Sequence, residues 1–377
     1  MSMNKCNKIL VLAYSDINYD ARILKQCLAL VEHGYEVNFY GVRYSDVQYE
    51  QPFKVNYLAD RAGNRLFQFI QYFILMLYFF MKTIGEARFT SVVMVHNMPN
   101  FLVLSTWYLK LRGCPVVLDI HDDSELVFSR KFQNTLFKKI FRFLENNVSL
   151  KSPTALMTVN KQLKGKLQCL TTGNIHVIHN SPEVDRFIDG PTYKVGSPIK
   201  LKFIGNLGEH YGVERLVEWV AALPSNLDVS LDIHGDGLLR ATLEKKSREI
   251  DVFQRVLFHG RFNPSQLQSI LSDGHIGIAP YDRNEMTDIL LPVKLLEYTA
   301  CGLASMCTKL KATSDYFPDT SLMYVNNYSD FESALQNIYS GKLSLEIFKR
   351  ESKAVVDKIS WQNEKLSFIL FISSIGR

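Results

Sequence analysis

Two side chains one helical turn apart, Lys294 and Glu297, lie in the stretch LPVKLLEYTACG, which follows an apolar strand-like segment, IGIAP at 276–280. A carboxylate in that place can accept hydrogen bonds from both hydroxyls of a ribose, because a charged acceptor fixes such a diol well. An ammonium three residues earlier, about one turn along a helix, can reach a diphosphate while the carboxylate holds the sugar. The helix start near Leu291 and Pro292 adds unpaired backbone N–H groups, which favour an anion. Gly235 and Gly237 follow another apolar segment; they either let the backbone approach a ligand or form a plain tight turn. His121 ends the apolar run PVVLDI, with Asp122 next to it, and Asp122 can assist a reacting hydroxyl.

Strands and helices must alternate to bring these groups together. The chain starts with a strand at 8–14 (KILVLAY), a helix from about Ala21 to His33 with Gly34 as its C-cap, and a strand at 35–42. Further strands are expected at 91–96, 114–121, 155–160 and 175–180, and after the turn-rich DRFIDGPTYKVGSP (185–198) the rhythm restarts with IKLKFIGNL at 199–207. Apolar strand centres between helices imply parallel sheets covered on both faces. The fold class is therefore α/β, with two doubly wound Rossmann-like domains, 1–185 and 190–357, facing a central crevice where a site belongs.

At 377 residues the chain exceeds what one core usually serves. Its composition, 47% apolar and 21% charged, is that of a globular protein. Six cysteines without metal-ligand spacing indicate reduced thiols and no zinc site or disulfide framework. No apolar leader with a cleavage site opens the sequence, which points to the cytoplasm.

In order along the chain, these motifs resemble those of family 4 of the retaining nucleotide-sugar glycosyltransferases, enzymes of GT-B fold. The matching residues are Asp20-Ala21-Arg22, Asp119-Ile120-His121-Asp122 with Glu125, Asn180-Ser181-Pro182, Gly205-Asn206-Leu207 with Gly212, Gly235-Asp236-Gly237, Gly260-Arg261, and the set Pro292, Lys294, Glu297 and Tyr298. The resemblance implies a retaining, metal-independent sugar transferase without a cofactor. Its first domain would take the acceptor, with Asp20 and Arg22 in the N-terminal loop region. Its second domain would bind the nucleotide-sugar donor through Asn206, Gly235, Gly237, Arg261, Lys294 and Glu297. His121 and Asp122 would be the catalytic pair, with His121 beside the donor sugar, and a final helix over 358–377 would return to pack on the first domain. The chain departs from the pattern where better-known members carry a phosphate-binding Arg and Lys and a sugar-binding Glu: it has Asn206, Tyr211 and Ile289, with Asp288 beside it. Two other readings stay open: a catalytically silent subunit of an active partner, and a nucleotide-sugar epimerase.

Residues 66–81, LFQFIQYFILMLYFFM, would make a helix of roughly 24 Å, short of a bilayer core of about 30 Å. It is either a helix buried on the first sheet or one lying on a membrane. Residues 130–166 carry nine basic side chains against one acid, Glu145. Among them Lys138, Lys139 and Arg142 are spaced with apolar residues as on a helix that lies on anionic lipid. The partners expected are thus a nucleotide-sugar donor, a lipid-linked glycan or polysaccharide acceptor and the anionic inner face of the cell membrane. No nucleic-acid motif accompanies the charge.

Overall fold

The computed structural model describes the chain apart from residues 1–6, 45–48, 64, 87–89, 98, 127–134, 184–189 and 377. Cys6, Arg130, Lys131 and the first part of the expected linker lie outside the described residues. The chain divides into two compact units: Met1–Asn180 with Glu364–Arg377, and Ser181–Asn363.

In unit 1 the strands are β1 (Lys8–Ala13), β2 (Glu36–Arg43), β3 (Lys54–Asp60), β4 (Thr90–His96), β5 (Val116–Ile120), β6 (Ala155–Thr158) and β7 (Ile175–Val177). They form one parallel sheet in the order β3-β2-β1-β4-β5-β6-β7. Unit 2 pairs β8 (Ile199–Ile204), β9 (Val229–His234), β10 (Val256–Gly260), β11 (Ile276–Ala279), β12 (Ala304–Cys307) and β13 (Met323–Tyr324) in the order β10-β9-β8-β11-β12-β13, again all parallel. Both sheets are doubly wound, as the alternating apolar pattern predicts. In such sheets the strand order reverses at one place, here β1/β4 and β8/β11, and ligands bind outside the carboxyl ends of the strands there.

Local sequence explains most of the boundaries. The helix Ala21–Glu32 begins at Asp20, whose carboxylate accepts the Ile23 N–H at 3.1 Å. It ends before Gly34, which takes φ +83°, a conformation that glycine adopts without strain. The central strands β1, β4 and β5 are buried almost throughout, which accounts for their unbroken apolar runs. The motif search did not single out β3. Its residues KVNYLAD are half-buried or exposed at the sheet edge, so no apolar run marks them.

The apolar segment near 66–81 is a helix, Arg65–Glu86, that is only partly buried. One stripe, with Tyr72, Leu75 and Phe79, is buried, while Phe67, Ile70, Phe73, Ile74, Leu77, Met81 and Ile84 face outward. Among the described residues no helix is long and apolar enough to cross a membrane. The last helix, Trp361–Ile375, joins unit 1 from Glu364 onward. There Phe371 stacks on His176 with ring centroids 4.6 Å apart, Ser373 meets the Tyr35 hydroxyl at 2.9 Å, and Glu364 binds His179.

Candidate active site

At the strand ends of unit 1, Asp119 is the centre of a closed charge network. It is the next-to-last residue of β5 and lies opposite His96, the last residue of β4. Arg22 grips both carboxylate oxygens, Nε to Oδ2 at 3.1 Å and Nη2 to Oδ1 at 2.9 Å, and its Nη1 donates to the Ile178 carbonyl at 2.7 Å. Gln26 adds a bond to Oδ2 at 2.9 Å, and His121 Nε2 lies 3.1 Å from the same oxygen. His96 Nδ1 stands 3.2 Å from His121 Nε2 and 3.5 Å from Asp119. Asn97 closes the loop: its side chain accepts the His121 N–H at 2.9 Å and donates to the Asp122 carbonyl at 2.8 Å.

Burial alone would raise the Asp119 carboxyl, but Arg22 and the two histidines hold it well below the usual carboxylate range. Burial lowers His96, which stays neutral. A His121 that donates Nε2–H to Asp119 presents Nδ1 as an acceptor. His96, Asp119 and His121 are close enough to share one cation. Arg22 already brings a positive charge onto both Asp119 oxygens, so a metal ion would have to displace that bidentate pair.

The strand ends of unit 2 are built differently. Lys294, in the first turn of the helix Val293–Ala300, is only 7% exposed. Its ammonium group sits over three rings: Phe203 of β8 at 4.0 Å, Tyr211 at 5.0 Å and Tyr281, just after β11, at 5.2 Å. Among the described residues Nζ has no hydrogen-bond partner. Burial pulls its pKa down to about 7, against the pull of Glu297 one turn on. Glu297 is half-buried. Tyr298 locks the scaffold, since its hydroxyl accepts the Ile204 N–H at 2.9 Å and donates to the Ile278 carbonyl at 3.2 Å.

The glycine loop packs against the end of β8. A Cβ on Gly235 would lie 1.8 Å from the Gly205 carbonyl oxygen, and one on Gly237 would lie 2.4 Å from Asn206 Oδ1. Contact between the two loops by itself requires these glycines. Arg261 is 84% exposed and pairs with Asp236 at 2.8 Å.

Two family descriptions match the sequence, and they divide it as the structure does: "Glycosyltransferase Family 4" over residues 22–186 and "Glycosyl transferases group 1" over 198–340. Solved structures of similar fold span nearly the whole chain. Sucrose-phosphate synthase from Thermosynechococcus elongatus superposes with a TM-score of 0.77 at 14% identity, covering 98% of this chain and 99% of its own. HepE of Anabaena, in complex with UDP and glucose, gives 0.70 at 13% identity, with 97% and 99% covered. The lipopolysaccharide outer core galactosyltransferase WaaB gives 0.66 at 14% identity, with the same coverage of 97% and 99%. The chain is a family 4-like glycosyltransferase of GT-B fold. No curated protein matches it by sequence.

In this glycosyltransferase the residues singled out by spacing or by the family resemblance fall into two groups. Arg22, Asp119 and His121 meet at one set of strand ends; Lys294, Glu297, Asn206, Gly235, Gly237 and Arg261 surround the other. Asp20 caps the helix that carries Arg22, and Arg22 is itself 2% exposed, so its guanidinium faces Asp119 and not the surface. Asp122 is exposed beside His121.

No motif marks two further buried titratable side chains. His96 ends a strand, but its place against Asp119 depends on register, which spacing does not reveal. Glu145, the lone acid of the basic stretch, is buried in a π-helical turn (Phe143–Val148). It accepts the N–H groups of Asn100 and Phe101 at 3.1 and 3.0 Å and the Ser124 hydroxyl, and burial pushes its carboxyl to about 7.

The helix Thr135–Arg142 turns apolar as well as basic side chains outward. Lys139 is exposed, but so are Leu136, Ile140 and Phe143, and Arg142 is paired with Glu125 at 2.5 Å. Buried Phe141 sets its ring edge-on against Phe101, which also meets Tyr72 and Phe73 of the Arg65–Glu86 helix.

Proposed function

We propose that the enzyme moves a hexose-type sugar from a nucleoside-diphosphate donor to a lipid-linked glycan or polysaccharide, with retention of configuration and without a metal ion. The observation that carries this reading is the pairing of Lys294 and Glu297 beside the β8/β11 switch point, a cation and a carboxylate one turn apart where a doubly wound sheet takes its ligand. Unit 2 then holds the donor, Glu297 on the ribose and Lys294 on the diphosphate. Unit 1 carries His121 and takes the acceptor near Asp122. The bond from the anomeric carbon to the phosphate oxygen breaks, and the acceptor oxygen bonds to that carbon on the same face. The acceptor's proton passes to the leaving phosphate oxygen. The protein contributes mainly fixed positive potential at the departing diphosphate.

HepE structures with UDP and with UDP-glucose support a uridine donor, and the named role of WaaB in lipopolysaccharide supports a lipid-linked acceptor. For the membrane, support comes from outward-facing Phe67, Ile74, Leu77, Leu136 and Ile140, with Lys138 and Lys139 among them. We place the enzyme peripherally on the cytoplasmic face of the cell membrane.

A second reading, a silent subunit that stabilises an active partner, draws on Asn206 and Tyr211 in place of phosphate-binding cations. Calorimetry with UDP, GDP and their sugar conjugates separates the two. Saturable binding that Glu297→Ala abolishes is the expected result, whereas a folded protein that binds none of them would be the silent subunit. For the membrane half, replacing Lys138 and Lys139 by Glu should weaken binding to vesicles containing anionic lipid; unchanged binding would remove that surface.

A further inference from the structure

Lys294 is placed unlike an ordinary surface ligand for phosphate. Its ammonium sits among Phe203, Tyr211 and Tyr281, which come from β8, the loop after it and the segment after β11. Ring faces attract a cation, but by less than a lost shell of water costs a fully desolvated one. The groups that face it can be named from each side. Its own helix supplies Glu297, which favours the charged amine, and Tyr298, whose hydroxyl is committed to Ile204 and Ile278. The loop after β8 supplies Tyr211, β8 supplies Phe203, and the segment after β11 supplies Tyr281, whose hydroxyl burial keeps protonated. Among the described residues none of these accepts a hydrogen bond from Nζ.

Gly205, the residue after β8, takes φ +121°, and a Cβ built on it would stand 3.3 Å from Nζ. Only glycine keeps that side of the amine clear of a side chain.

We propose that binding of a nucleoside diphosphate at this site is coupled to uptake of one proton by Lys294, which the aromatic box holds without an acceptor until the diphosphate supplies one. The inference rests on the donor-site reading above. The balance is simple: the neutral amine takes a proton from solvent as the anionic diphosphate arrives, and returns it when the diphosphate leaves. An empty site is thereby spared a fixed, unpaired buried charge, and the charge appears when its partner does.

The test is isothermal titration of the full chain with UDP and with GDP at pH 8 in HEPES and in Tris, whose heats of ionisation differ. A group with pKa about 7 is mostly neutral at pH 8. The difference in apparent enthalpy should therefore report uptake of nearly one proton per nucleotide. The wild-type Kd should also rise up to tenfold per pH unit above pH 8, since only the protonated fraction is competent. Lys294→Met should weaken binding roughly ten- to hundred-fold and abolish the uptake. Nucleotide that binds with no proton uptake, or uptake that survives in the Met variant, overturns the coupling while leaving the donor site standing. If neither nucleotide binds folded wild type, the donor-site reading falls and takes this inference with it. The wild-type pH series and two-buffer comparison decide the matter even if the variant does not fold.

Discussion

The two switch points treat a buried charge in opposite ways. In unit 1 the Asp119 carboxylate meets Arg22, Gln26 and two histidines, so the network is complete before any ligand arrives. In unit 2 the Lys294 amine lies among rings with no acceptor among the described residues, so its environment is unfinished. A finished network fixes geometry; an unfinished one stores a demand for an anion. Under the proposed function, the pattern fits a division of labour in which unit 1 holds His121 in place and unit 2 responds to the donor.

The contrast breaks most readily at Arg22. Arg22→Met strands a buried carboxylate, and removing one partner of such a pair costs about 3–5 kcal/mol; urea unfolding at pH 7 should show a loss of that size. Because the folded Asp119 is depressed, the stability it contributes is complete above the ordinary carboxylate range. That contribution is lost only as pH falls through the lower folded value. Wild type and the variant should therefore converge in strong acid.

Lys294→Met should do the reverse. The folded amine is lowered to about 7, so below that pH the fold carries the full cost of a buried ammonium. The cost disappears as pH rises toward the ordinary lysine value near 10.4. The Met variant should be more stable than wild type at pH 6, by on the order of 1–4 kcal/mol, and the gap should close by pH 10. A gap that does not change with pH would mean that Lys294 is an ordinary cation. The smallest effect is expected at Asp20→Ala, which uncaps the helix carrying Arg22: about 1 kcal/mol by thermal melt, with the Arg22–Asp119 pair kept.

Much of this was legible in the sequence, for reasons that can be named. Central strands such as β1 and β5 announce themselves because both faces are covered, and Asp20 and Gly34 mark their helix because caps are local chemistry. Lys294 and Glu297 were legible as a pair because one helical turn fixes their spacing. The aromatic box was not, since Phe203, Tyr211 and Tyr281 come from segments far apart in sequence and only packing joins them. His96 was hidden by strand register, and β3 by its polar edge composition. Glu145 looked like a stray acid until the structure turned it inward onto two backbone N–H groups.

The return of the final helix sets an order on biosynthesis. Unit 2, Ser181–Asn363, is complete before residues 364–375 have been made, yet His176, His179 and Tyr35 wait for those residues to cover them. A chain emerging in sequence can close its second unit while the first still exposes an unsealed face. Of the two units, the one translated first is thus the later to be finished, and its His121 stands on a scaffold that is sealed only once the residues after unit 2 have been added.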